Sequence, residues 1–176
     1  TRSAYVTGVL TCALPIFQDF GNAVSTFIAQ NFGAGQEKRI REGLKYAILT
    51  SMGFCLFITA GIWLLARPLM LLFVDAKETA IIAEGVRYLH IEGSFYCGIG
   101  CLFLLYGLYR AVGKPGMSVI LTIISLGTRV ALAYSLSSIP EIGVAGIWWS
   151  VPIGWFLADL TGLIYYWKKR DTLFHL

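Results

Sequence analysis

Apolar residues run in long blocks along this chain, and charged residues gather in short islands between them. Five blocks stand out. The first covers residues 4–31 and is interrupted by Pro15, Gln18 and Asp19. The second covers 46–65 and stops at Arg67-Pro68, and the apolar piece 69–74 after it is too brief to span a bilayer. The third covers 88–108 and ends at Arg110 and Gly113. The fourth covers 115–139, with Pro115 suited to a helix start and Pro140 just past its end. The fifth covers 144–167. Each is close to the roughly 20 residues that a helix needs to cross hydrocarbon. The pattern predicts an all-α fold, a polytopic membrane helix bundle of about five transmembrane helices.

Composition sharpens this picture. The chain has 176 residues, of which 57% are hydrophobic and 14% charged, against about 25% charged in soluble domains. A soluble helical domain needs a polar face on every helix, and these blocks have none continuous enough. The net charge of +4 does not point to nucleic acid, because the basic residues sit at block ends, where anionic lipid headgroups lie. Cys12, Cys55, Cys97 and Cys101 all fall in apolar stretches and read as packing residues rather than a disulfide framework.

With five spans, the loops alternate between two sides. One side collects Lys38, Arg39, Arg41, Lys45, Arg110, Lys114, Lys168, Lys169 and Arg170; the other has Arg2, Arg67, Lys77 and Arg87. The positive-inside rule makes the first side cytoplasmic. The C-terminus is then expected inside and the N-terminus outside, an odd start that suggests a missing upstream part.

Polar groups within the blocks carry the functional signal, because a charge in hydrocarbon costs roughly 2.5–3.5 kcal/mol even on lenient scales. In the first block Asp19, Asn22, Thr26 and Gln30 share one helix face. Such a stripe faces either a cavity or a neighbouring helix. In the fourth, Ser118, Thr122, Ser125 and Arg129 form a second stripe, and Arg129 lies deep enough to require a carboxylate or carbonyl partner. In the fifth, Trp148, Pro152, Trp155 and Asp159 share a face. Asp159 lies roughly 7 Å further from the outer side than Arg129, so a direct pair is possible but not favoured. Glu92 and His90 are expected at the outer interface. Gly146, Ser150, Gly154, Ala158 and Gly162 recur every four residues, a ridge suited to close helix packing. No phosphate-binding loop, HExxH or GxSxG motif occurs, and two histidines do not make a metal site. No enzyme, metal or cofactor is expected.

Residues 27–35, Phe-Ile-Ala-Gln-Asn-Phe-Gly-Ala-Gly, followed by Arg39, resemble the end of the eighth helix of multidrug and toxic compound extrusion (MATE) transporters. Gln30, Asn31, Gly33, Ala34, Gly35 and Arg39 carry that likeness. Arg110 and Gly113 resemble the family's Arg-x-x-Gly stretch after the tenth helix, Arg129 falls where the eleventh often has an arginine, and residues 146–155 resemble the start of the twelfth. The resemblance covers residues 17–171. It implies a partial C-terminal lobe, about helices eight to twelve, of a two-lobe carrier whose missing N-terminal lobe is its partner. It further implies a cell-membrane antiporter, in a bacterial inner membrane, exporting drugs or other organic cations in exchange for protons or sodium. Asp19, Asn22, Thr26, Gln30, Arg129, Trp155 and Asp159 are the candidates for the substrate or ion path, Trp155 through cation–π contact. A middle-of-span carboxylate found in the tenth helix of some members is absent here, where Ile99 to Phe103 are apolar or small.

Residues 3–16, SAYVTGVLTCALPI, do not resemble the family; they resemble a translated sequencing-library adapter. Residues 1–16 are therefore expected to be non-native, and 172–176 a cytoplasmic tail. Two alternatives remain: a flippase for lipid-linked saccharides or peptidoglycan precursors from the same superfamily, and a non-transporting subunit of a membrane complex. The flippase reading calls for a more cationic cavity than Arg129 alone provides.

Overall fold

A computed structural model describes residues 3–139, 143–170 and 172–174, with side chains described from Pro15 onward. The expected adapter-like stretch therefore lies almost wholly outside the described side chains. Six helices follow one another: α1 (Ser3–Gly33), α2 (Glu37–Leu71), α3 (Thr79–Ser94), α4 (Tyr96–Ala111), α5 (Pro115–Ser137) and α6 (Val144–Lys169). The all-helical expectation holds. α4 sits centrally, packed on α1, α2, α5 and α6, and α5 pairs most extensively with α6.

Among the described residues α2, α5 and α6 are each long and apolar enough to cross a membrane, and α3 with α4 is long and apolar enough as a pair bent by 45°. The expected α1 span falls outside that set, because its described half carries Gln18, Asp19, Asn22, Gln30 and Asn31. The chain is a multi-pass membrane protein. Its outer surface agrees: Leu56, Phe57 and Leu64 form an exposed apolar row on α2.

Two boundaries differ from the sequence reading. α2 runs through Arg67-Pro68 to Leu71 instead of stopping. Its last turn is anchored by buried Met70 against Gly85 of α3, and a membrane helix tolerates proline when its neighbours hold it. The third span begins nine residues earlier, at Thr79 rather than Tyr88, and breaks at Phe95 (φ −109°, ψ 17°). The break has visible chemistry. Thr59 Oγ1 donates to the Gly93 carbonyl at 2.8 Å, and Ser94 Oγ donates to the His90 carbonyl at 2.6 Å while accepting from Trp63 Nε1 at 3.0 Å. Side chains from α2 thus satisfy backbone that the interrupted helix leaves open.

Small residues set the helix spacing. A Cβ on Gly107 of α4 would stand 2.5 Å from the Gly21 carbonyl oxygen of α1, and one on Gly154 of α6 would stand 2.7 Å from that of Ser125 on α5. The Gly146–Gly162 ridge is buried at every member, so its role is packing. Cys55 is buried and Cys97 and Cys101 are half-buried, all free thiols.

Candidate functional site

The family-like motifs fall at two helix ends, and the structure gives their glycines a mechanical reason. α1 ends with Gly35 at φ 67°, Gln36 N–H donating to Asn31 O (2.9 Å) and Gly35 N–H to Phe32 O (3.0 Å). α4 ends the same way: Gly113 lies at φ 72°, Lys114 N–H donates to Tyr109 O (2.8 Å) and Gly113 N–H to Arg110 O (3.3 Å). Both are left-handed glycine caps that turn the chain sharply. Asn31 is buried and donates to the Phe27 carbonyl at 2.8 Å. Gln30, Gly33, Ala34 and Arg39 are exposed.

These turns place an open polar face between α1, α4 and α5. Asp19, Asn22, Thr26 and Gln30 all lie exposed along α1. Arg110 Nη2 donates to Asn22 Oδ1 at 2.9 Å, tying the end of α4 to the middle of α1. Thr26 Oγ1 turns back to the Asn22 carbonyl at 3.0 Å. Beside them a cleft of about 350 Å³ is lined by Gln18, Phe103, Tyr106, Arg110, Ser118 and Thr122, among others. Thr122 Oγ1 lies 3.3 Å from Tyr106 Oη and 2.9 Å from the Ser118 carbonyl. Arg110 therefore joins the α1 stripe to a groove lined by the first half of the α5 stripe, Ser118 and Thr122. Gln18 and Tyr106 were not among the sequence candidates; Gln18 had been read only as an interruption of the first block.

The remaining candidates lie elsewhere, inside the bundle. Trp155 is 5% exposed and Asp159 8%, both sealed between α4, α5 and α6. Among the described residues Arg129 makes no hydrogen bond or ion pair with a carboxylate or carbonyl. Its guanidinium lies 5.7 Å from the centroid of the Trp155 ring, with Nε buried and unpartnered. Packing explains the choice: the side chain leaves α5 against Gly154, whose Cβ position is 3.7 Å from Arg129 Cβ, and passes over the next residue of α6. Trp155 thus makes an internal cation–π contact on one of its faces. Arg129 and Asp159 form no ion pair among the described residues, in keeping with their different depths.

Glu92 departs most from its expected place. It is 4% exposed, buried one turn before the break in the third span rather than at the interface, and it interacts electrostatically with Arg129 and Tyr88. The signal was present in the sequence: a carboxylate flanked at i−4 and i+4 by Tyr88 and Tyr96 sits on an aromatic face. Among the described residues no group of three or more His, Cys, Asp or Glu is placed to hold a metal ion.

At the basic end, Arg41 pairs with Glu37, lies 5.4 Å from the Phe174 ring centroid and donates to the Arg170 carbonyl at 3.2 Å. The start of α2 and the end of α6 thus share one end of the bundle, as the charge count requires. Leu173 and Phe174 of the expected tail are buried against it.

Known proteins resemble this arrangement throughout. A chain described as probable multidrug resistance protein YpnP of Bacillus subtilis (strain 168) is 29% identical over 148 residues, covering 83% of this chain and 32% of its own length. Probable multidrug resistance protein YoeA of the same organism is 28% identical over 157 residues, covering 86% and 33%. The chain spans about a third of these relatives. An outward-facing MATE family transporter of the MOP superfamily superposes with a TM-score of 0.81 at 21% identity, over 96% of this chain and 39% of that one. An inward-facing structure gives 0.78 at 21% identity, over 87% and 35%. The family model MatE matches residues 4–135, well over half of the sequence. The chain belongs to the MatE family, whose members are transporters and not enzymes.

Proposed function

We propose that this chain is the C-terminal part of a secondary active antiporter that exports drugs or other organic cations in exchange for protons or sodium. The observation that carries the reading is the open polar face. A membrane protein exposes Asp19, Asn22, Thr26 and Gln30 in one row, beside a cleft holding Gln18, Tyr106, Arg110 and Thr122. Lipid is a costly neighbour for such a row, so its partner is water, substrate and the polar wall of an N-terminal lobe. Rocking of one lobe against the other would open the shared groove to each side in turn. In this reading the basic end of the bundle faces the cytoplasm of a bacterial inner membrane, with the C-terminus inside, and the positive-inside rule supports it.

The test expresses the full-length gene in an efflux-deficient host and follows a fluorescent cationic dye with and without proton and sodium gradients. Loss of dye that collapses with one of the gradients is expected. Dye retention unaffected by either gradient would overturn the reading.

A further inference from the structure

Resting on that reading, we infer that Asp159, buried away from the open groove, carries the proton exchanged for substrate.

Two observations meet here. The interface of α3, α4, α5 and α6 gathers half-buried Tyr88, Cys101, Tyr106 and Arg129 around two buried carboxylates, Glu92 of α3 and Asp159 of α6. Independently, Asp159 Oδ1 is buried with no hydrogen-bond partner, on a side chain 8% exposed. Among the described residues of this interface, two carboxylates stand with one guanidinium. Burying an unbalanced carboxylate is far more costly than neutralising it. Arg129 acts electrostatically on Glu92 and Tyr88, and it lies over the ring of Trp155, one helical turn from Asp159. No cation meets Asp159 among the described residues, so it is left to be balanced by something that arrives and leaves.

The chemistry around Asp159 selects a proton over sodium. Its neighbours are the Cys101 thiol, the bare backbone of Gly98, whose Cβ position is 3.8 Å from Asp159 Oδ2, and the Trp155 indole. A hard cation takes several oxygen ligands, and neither the thiol nor the indole supplies one. A proton requires only one lone pair. A route to bulk is also at hand. Tyr106 lines the cleft of about 350 Å³, meets Thr122 there, and interacts electrostatically with both Asp159 and Arg129. When the groove is open, its hydroxyl stands between cleft water and the buried acid. No bond other than O–H is made or broken: the proton leaves water for Asp159 and returns to water on the other side.

The experiment reconstitutes the full-length carrier in proteoliposomes and measures dye transport driven by an imposed pH gradient. Alongside it, dye counterflow is followed without a gradient, together with the protons released on dye binding in weak buffer. For Asp159→Asn, gradient-driven transport is expected to fall at least tenfold and proton release to vanish, while counterflow persists. Asp159→Glu is expected to restore both. Dicyclohexylcarbodiimide, which attacks protonated carboxyls in apolar surroundings, is expected to label Asp159 of the unaltered carrier, less so as pH rises. This arm reports even where the variants misfold. Undiminished pH-driven transport by Asp159→Asn, transport driven by sodium alone, or absence of labelling at Asp159 in a proton-driven carrier would each overturn the inference. An unaltered carrier that moves no dye under any gradient overturns the transporter reading instead.

Discussion

Replacing Gly154 by valine forces a side chain into the backbone of α5. The Cβ position at Gly154 is 2.7 Å from the Ser125 carbonyl oxygen, and ordinary contact begins about 0.7 Å further out, so the most extensively paired helices of the bundle must separate at their centre. Overpacking of this kind costs about 1–3 kcal/mol. At about 2 °C per kcal/mol for a large chain, the apparent melting temperature of the full-length carrier in detergent falls by ~2–6 °C. Gly61 is the matched control. It lies within α2, and nothing stands within 4 Å of its Cβ position, so Gly61→Val changes helix propensity without a clash. Equal melting shifts for the two variants would refute the argument that close backbone approach, rather than helix propensity, explains the small-residue ridge. The separation also moves Arg129 off Trp155, since Arg129 leaves α5 against Gly154. A stability loss at Gly154 should therefore come with a transport defect that Gly61→Val does not share.

Other consequences are as direct. Gly35→Ala and Gly113→Ala each place a side chain in the left-handed region and should destabilise by about 1–2 kcal/mol, read as a fall in melting temperature that Gly33→Ala does not reproduce. Asn22→Ala and Arg110→Ala should be less than additive in a double-mutant cycle, with a coupling of about 1 kcal/mol from the 2.9 Å bond; strict additivity would show that the bond is not formed in the carrier. Thr59→Val removes the donor to the Gly93 carbonyl at the break of the third span and should cost about 1–3 kcal/mol, whereas Thr50→Val, on an exposed position of the same helix, should be near neutral.

The helices were legible because lipid imposes one requirement on every block, an apolar run near 20 residues, and charges at the ends satisfy it visibly. The small-residue ridge was legible because a four-residue period survives in the sequence whatever the helix packs against. The break at Phe95 was not. It depends on Thr59 and Trp63, more than 30 positions away, meeting backbone and Ser94 across a helix interface. Glu92 was misplaced for the same reason. Counting from the end of an apolar block put it at the interface, but α3 begins at Thr79 and carries it inside. The contact of Arg129 with Trp155 was not legible, because the approach of Gly154 that steers it over an indole is a property of two helices together. The α1 stripe was the reverse case: its shared face follows from helical period alone, and the structure adds the cleft beside it.

Accessibility to a water-soluble thiol reagent tests the central claim most directly, namely that the face of α1, α4 and α5 borders an aqueous substrate path. In the full-length carrier, Thr122→Cys in the cleft and Leu56→Cys on the exposed apolar row of α2 are compared with a parent lacking reactive thiols. The account predicts that position 122 is labelled from the side to which the groove is open, that bound dye protects it, and that position 56 stays unlabelled in the bilayer. Labelling at position 56 with none at 122 in either gradient direction would contradict it.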